Sequence, residues 1–140
     1  MPETLHLTDT ERVAVVTDDA ERLVVDVTYA PGGSPPPAHR HPAQDERFEI
    51  AAGELHVRVD GEERVLRAGD VLEVPRGTVH AFWNAGDEEV RARWETAPAG
   101  RTLDWFRAIS AAQERPAPLR AASLAAALTR YRDVFRLARG

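Results

Sequence analysis

Residues 33–53 read GSPPPAHRHPAQDERFEIAAG, and residues 69–84 read GDVLEVPRGTVHAFWN. In the first stretch the run Pro35-Pro36-Pro37 cannot donate to a sheet ladder and holds the chain extended. His39 and His41 follow, separated by one residue. Residues two apart in a strand project to the same side, so the two imidazoles can converge on one point. Glu46 lies a few residues on, near the start of an apolar strand, and offers an oxygen. His80 is far along the chain, behind the turn Pro75-Arg76-Gly77, and an antiparallel barrel can bring its strand beside the first.

Three neutral imidazoles and one carboxylate form a nitrogen-rich donor set. It suits one divalent transition metal per chain (Fe, Mn, Ni, Co, Cu or Zn) and is too rich in nitrogen for Mg or Ca. Four protein ligands on a six-coordinate ion leave positions for water, dioxygen or a chelating substrate. Strand phase extends the site. If Glu46 points inward, so do Phe48 and Ile50; if His80 points inward, so do Phe82 and Asn84, while Ala81 and Trp83 point away. Phe48 and Phe82 are then candidate pocket residues, with Trp94 or the face of Arg91, Arg93 and Glu95 completing the wall. Arg40 and Trp83 are expected to face away from the metal. Asn84 suits a turn, His6 an exposed terminus, and His56 stands out of phase with Leu55, Val57 and Val59.

Outward from these stretches, short β-branched runs alternate with turns. Residues 11–17 and 22–30 read as strands, as do the runs at Phe48–Ile50, Leu55–Val59, Arg64–Leu66, Val71–Val74, Val79–Trp83 and Val90–Thr96. Asp60-Gly61 is a hairpin signal. This spacing predicts an all-β antiparallel sandwich or barrel. After Pro98 the period changes. Leu103, Trp105, Phe106 and Ile109 are laid out helically, and residues 114–118 break the pattern. Leu124, Leu128, Tyr131 and Phe135 then recur at helical spacing through Leu137. The expected organisation is one domain, with a barrel over residues 1–100 and a helical tail over residues 101–140 packed on it.

The 140 residues contain no cysteine and carry a formal net charge of −5. Disulfides and thiolate chemistry are excluded, and a nucleic-acid partner is disfavoured. All the basic side chains are arginines, so Schiff-base chemistry is excluded too. Ser34, Ser110 and Ser123 sit in no nucleophile motif. Six of the arginines fall in residues 115–140 beside the lone acid Asp133, and they read as the solvated face of a C-terminal helix. Neither a signal peptide nor a membrane span is visible near Met1–Thr10 or elsewhere, so a cytoplasmic location is expected.

The spacing Gly33-x5-His39-x-His41-x4-Glu46-x6-Gly53 resembles the first cupin motif without departure. Gly69-x5-Pro75-x-Gly77-x2-His80-x3-Asn84 resembles the second in the same way. The resemblance spans residues 33–84 and is to small bacterial monocupins. It implies a double-stranded β-helix (jelly-roll) barrel, a metal ligated by His39, His41, Glu46 and His80, and a homodimer. The expected function is a metal-dependent enzyme acting on a small organic molecule: a dioxygenase, isomerase or lyase, in which Glu46 serves as base if it leaves the metal. The alternative is a non-catalytic small-molecule-binding or sensing cupin. A metal-free, epimerase-like cupin would need a His–Asp and Tyr arrangement that Tyr29 and Tyr131 do not assemble.

Overall fold

The structure is a computed structural model and describes residues 2–138. Two antiparallel sheets face each other. The first has the order β1(Thr4–His6), β2(Glu11–Asp18), β3(Leu23–Tyr29), β10(Val90–Ala97), β5(Asp45–Ala52), β8(Val71–Val74). The second has the order β11(Arg136–Leu137), β4(His39–Arg40), β9(His80–Trp83), β6(Glu54–Val59), β7(Glu62–Arg67). This is the double-stranded β-helix, followed by helices α1(Thr102–Gln113) and α2(Ala117–Arg130).

Alternation decides which side chains enter the space between the sheets. On β5, Glu46, Phe48 and Ile50 are buried while Arg47 and Glu49 face out; on β10, Val90, Ala92, Trp94 and Thr96 are buried. Phe48 stands opposite Trp94 on one side and Leu72 on the other, which makes one layer of the core. Arg91, Arg93 and Glu95 lie on the outer face, where Arg93 pairs with Asp26 and Arg22 with Glu95. That settles the sequence alternative for the inner wall in favour of Trp94.

Turns hold the register. Asp60 and Gly61 both take positive φ, 51° and 82°, as the tight β6–β7 hairpin requires. Gly53 is fixed by space as well as by φ. A Cβ there would lie 2.6 Å from the Glu89 carbonyl oxygen. Asn84 closes a further turn: its Nδ2 donates to the carbonyls of Tyr29 and Glu88, and its Oδ1 accepts from the Gly86 N–H.

The helical layer packs as the apolar spacing predicts over α1. Leu103, Trp105, Phe106 and Ile109 join the barrel core, and Phe106 lies 5.1 Å from Trp94, ring centre to ring centre. The tail departs from expectation in two places. Pro118 does not break a helix but sits in the first turn of α2, where its missing N–H costs nothing. The helix then ends at Arg130 rather than running through Leu137. Tyr131 is buried beneath the Arg101 guanidinium, 4.7 Å above its ring, and Arg101 also holds Asp133 in an ion pair. These contacts turn the chain, and residues 136–137 add a strand to β4. β1 was also not foreseen; it pairs with β2, and the His6 N–H donates to Ser110 Oγ on α1. No helix among the described residues is long and apolar enough to cross a membrane.

Glu11 stands opposite Tyr29 across β2 and β3. Burial pushes the Glu11 carboxyl up to about 7 from its ordinary 4.5, against the Tyr29 hydrogen bond that favours the ionised form. Between those two pH values the folded chain holds a proton that the unfolded chain has released. This group's contribution to stability is therefore full below 4.5, falls as pH rises through that window, and is lost above about 7. Glu11→Gln removes this dependence. Urea unfolding from pH 4 to 8 should show the variant gaining on the wild type as pH rises; parallel pH profiles would refute the burial of this carboxyl.

Candidate metal centre

The barrel register builds the centre from both sheets. His39 on β4 is directly opposite His80 on β9, and Glu46 enters from β5 between Thr96 and Val74. His41, just beyond β4, is fixed by its carbonyl, which accepts from the Gly77 N–H at 2.8 Å. Ring centres of His39 and His80 are 4.4 Å apart, those of His39 and His41 5.1 Å, and those of His41 and His80 5.2 Å. One ligand atom from each of the three lies within 4.8 Å of the others. Among the described residues this is the one such group of metal-binding side chains.

The outer nitrogens are anchored. His41 Nδ1 is 2.8 Å from the Val134 carbonyl oxygen, and His80 Nδ1 is 2.9 Å from that of Thr78. A carbonyl only accepts, so both Nδ1 atoms carry a hydrogen, and each ring, when neutral, turns its Nε2 lone pair inward. There both meet the same atom: Glu46 Oε1 is 3.2 Å from His41 Nε2 and 3.1 Å from His80 Nε2. The other carboxylate oxygen, Oε2, accepts from the Trp94 indole N–H at 2.8 Å. His41 Nε2 and Glu46 Oε1 are buried without a hydrogen-bond partner. Lone pairs aimed at one another in a dry interior are costly, and a cation among them satisfies all of them at once. The donor set therefore fits a metal.

Titration follows the same geometry. Burial drives the His39 imidazole well below its usual value, and His80 and His41 beside it add to the effect. Burial also lowers His41, only partly opposed by the Glu46 carboxylate. For His80 burial is outweighed by Glu46 and the Thr78 carbonyl, and its value rises. Burial raises the Glu46 carboxyl, but His41, His80 and the Trp94 N–H together bring it below the ordinary carboxylate range.

The candidate pocket residues form an aromatic cluster under the centre. Phe48 meets Phe82 edge to face at 4.5 Å and stacks on Trp94 at 5.2 Å. Phe82 is partly exposed and lies 5.2 Å from the His80 ring. Trp83 faces the outer side, stacked on His56 with Arg58 above it. Arg40 also lies away from the three histidines, in line with Arg136 on β11.

Two contributors were not visible in the sequence. Phe135 stacks on His39 at 4.5 Å, and the Val134 carbonyl fixes His41. Phe135 lies four residues after Tyr131, a spacing that by itself predicts the next turn of a helix. The competing signal was the alternation of Phe135 and Leu137 about Arg136. With Phe135 in place, three of the donors are closed off, His41 at 7 % exposed, Glu46 at 3 % and His80 at 2 %, while His39 stays partly exposed.

Residues 25–94, half of the chain, match the Cupin domain family, and the chain belongs to that family as a small monocupin. Oxalate oxidase 1 of Hordeum vulgare is 39 % identical over 71 residues, covering 45 % of this chain and 35 % of that protein. Polyketide synthase CurC of Streptomyces cyaneus is 40 % identical over 60 residues, covering 43 % of this chain and 39 % of that protein. The chain thus spans little more than a third of the length of these curated relatives. The solved structure of KdgF from Halomonas sp. has a TM-score of 0.65 at 19 % identity, covering 72 % of this chain and 90 % of that one, which is a likeness of fold.

Trp94→Phe keeps the stacked ring and deletes only the N–H that serves Glu46 Oε2. A buried carboxylate that loses a donor costs about 1–3 kcal/mol. Urea unfolding of the metal-free chain at neutral pH should register a loss of that size, and an unchanged midpoint would remove the indole from the account.

Proposed function

We propose that the chain is a metal-dependent enzyme that acts on a small organic molecule through its oxygen atoms, and that its reaction is of the oxygenase class. The observation that carries the metal is the pair of orphaned, mutually facing atoms His41 Nε2 and Glu46 Oε1. His39, His41 and His80 would supply three nitrogens and Glu46 Oε1 the oxygen. The metal, when bound, supplies Lewis acidity and a template for oxygen donors. The likeness to oxalate oxidase supports oxidation of a small oxygen-bearing molecule, the wider class within which the oxygenase reading falls.

The remaining chemistry belongs to the chain. The Val134 and Thr78 carbonyls fix two imidazole tautomers before any ion arrives. Trp94 holds Glu46 Oε2, leaving Oε1 as the free donor. The lowered pKa of Glu46 suits an anionic ligand better than a proton acceptor, so its role as base is the lesser one. Phe48, Phe82 and Trp94 are assigned to the apolar wall for the substrate body, with Phe135 over His39 as the cover that has to move for entry.

One observation favours the second reading, a binding or sensing module. Three of the four donors are almost shut from solvent, with only His39 partly exposed, and a largely closed site suits a structural ion. Elemental analysis and oxygen uptake separate the two. One ion per chain is expected in the wild type and none in the His39→Ala/His80→Ala variant; full stoichiometry in that variant overturns the assignment. Oxygen consumption by the metal-loaded chain with small hydroxy- and dicarboxylic acids is expected. Ligand binding without turnover in that assay selects the sensing module instead.

A further inference from the structure

The same C-terminal strand that closes the centre creates a second problem on its other side. Arg136 on β11 stands directly opposite Arg40 on β4. Directly opposed residues of an antiparallel pair share a face and lie side by side, and like charges so placed destabilise the pairing. No acid relieves them: among the described residues neither Arg40 nor Arg136 takes part in an ion pair, and neither does Arg132. The Arg136 Nε donates to the Arg132 carbonyl at 2.8 Å, which anchors the guanidinium at one edge and leaves its outer N–H groups free. All three arginines line one hollow of about 580 Å³ between β4, β11 and the last turn of α2. Leu128, Thr129 and Phe135 line it as well, and no carboxylate among the described residues does. The end of α2 brings a partial negative charge of about half a unit to this side, far less than three guanidinium charges.

We propose that this hollow is a binding site for a small oxyanion, a phosphate or carboxylate group, held by Arg40, Arg132 and Arg136. Guanidinium groups offer paired donors that match such anions. The chain as a whole is acidic, so an anion collected here is collected by local geometry and not by net charge. An anion between Arg40 and Arg136 turns the repulsion across β4 and β11 into a bridge. Phe135 is the wall shared by the hollow and His39, so the bridge also fixes the ring that covers the metal centre. The site does not depend on the metal reading, because Arg40 and Arg136 alternate with His39 and Leu137 along the paired strands and so project away from the histidine, and its test uses the metal-free chain.

The experiment is thermal unfolding of the metal-free, full-length chain against sodium phosphate, with ionic strength held constant by sodium chloride and a parallel series in acetate. A saturable rise is expected, about 5 °C when the anion is at roughly ten times its dissociation constant. In Arg136→Gln the rise should fall to less than a third of the wild-type value, while Arg64→Gln, an unpaired arginine on β7, keeps it. Without anion, Arg136→Gln should melt at or above the wild-type temperature, because it removes a like-charge contact. A rise with either anion that Arg136→Gln loses supports the site. Equal rises in wild type and Arg136→Gln, no rise with either anion, or an anion-free Arg136→Gln that melts several degrees lower overturns it.

Discussion

The hydrogen bond from the Trp94 indole to Glu46 is the contact on which the interior depends. A carboxylate buried between two sheets loses several kcal/mol of hydration unless donors or cations replace the water. Trp94 serves one oxygen, and the imidazoles of His41 and His80 converge on the other. The indole can do this only while its plane is held, and Phe48 from β5 and Phe106 from α1 hold it from different directions. The helical layer is therefore coupled to the centre through the body of one tryptophan. It is coupled a second time through the Trp105, Phe135 and His39 rings, which lie in sequence at 4.8 and 4.5 Å.

How much of this could be read from residues alone follows from the range of the forces involved. The barrel strands were legible because a strand with one buried face repeats every two residues, and Glu46, Phe48 and Ile50 or Val90, Ala92, Trp94 and Thr96 display that repeat plainly. The meeting of His39, His41, His80 and Glu46 was legible because His39 and His41 stand two apart in extended chain and all four keep the spacing of the two cupin motifs. What could not be read was set by contacts distant in sequence. Tyr131 and Phe135 keep helical spacing, yet Arg101, from the start of the helical layer, binds both the Tyr131 ring and Asp133 and ends the helix. The partnership of residues 136–137 with β4 joins distant parts of the chain and leaves only a two-residue trace of alternation. Glu11 and Tyr29 are an ordinary polar residue and an ordinary aromatic until the pairing of β2 with β3 encloses them.

The fold treats its two sheets unequally. The six-stranded sheet contributes the longest strands, much of the apolar core and one carboxylate; the five-stranded sheet carries His39 on β4 and His80 on β9, both short strands, with His41 just beyond β4. Local stability follows the length of pairing, so the histidine side is the side that opens at least cost. A rigid wall carrying the acid and a softer wall carrying the nitrogens would be a serviceable division if the centre takes up an ion.

The placement of Trp94 also gives the molecule an optical signature. Its indole is bonded to a candidate ligand and sits in van der Waals reach of the centre, whereas Trp83 lies on the outer face against His56 and Arg58, and Trp105 lies behind Phe135. A paramagnetic or electron-accepting ion beside Glu46 would quench the emission of Trp94 far more than that of the other two. The chain thus carries, at the wall of its own centre, a fluorophore whose brightness reads out what occupies it.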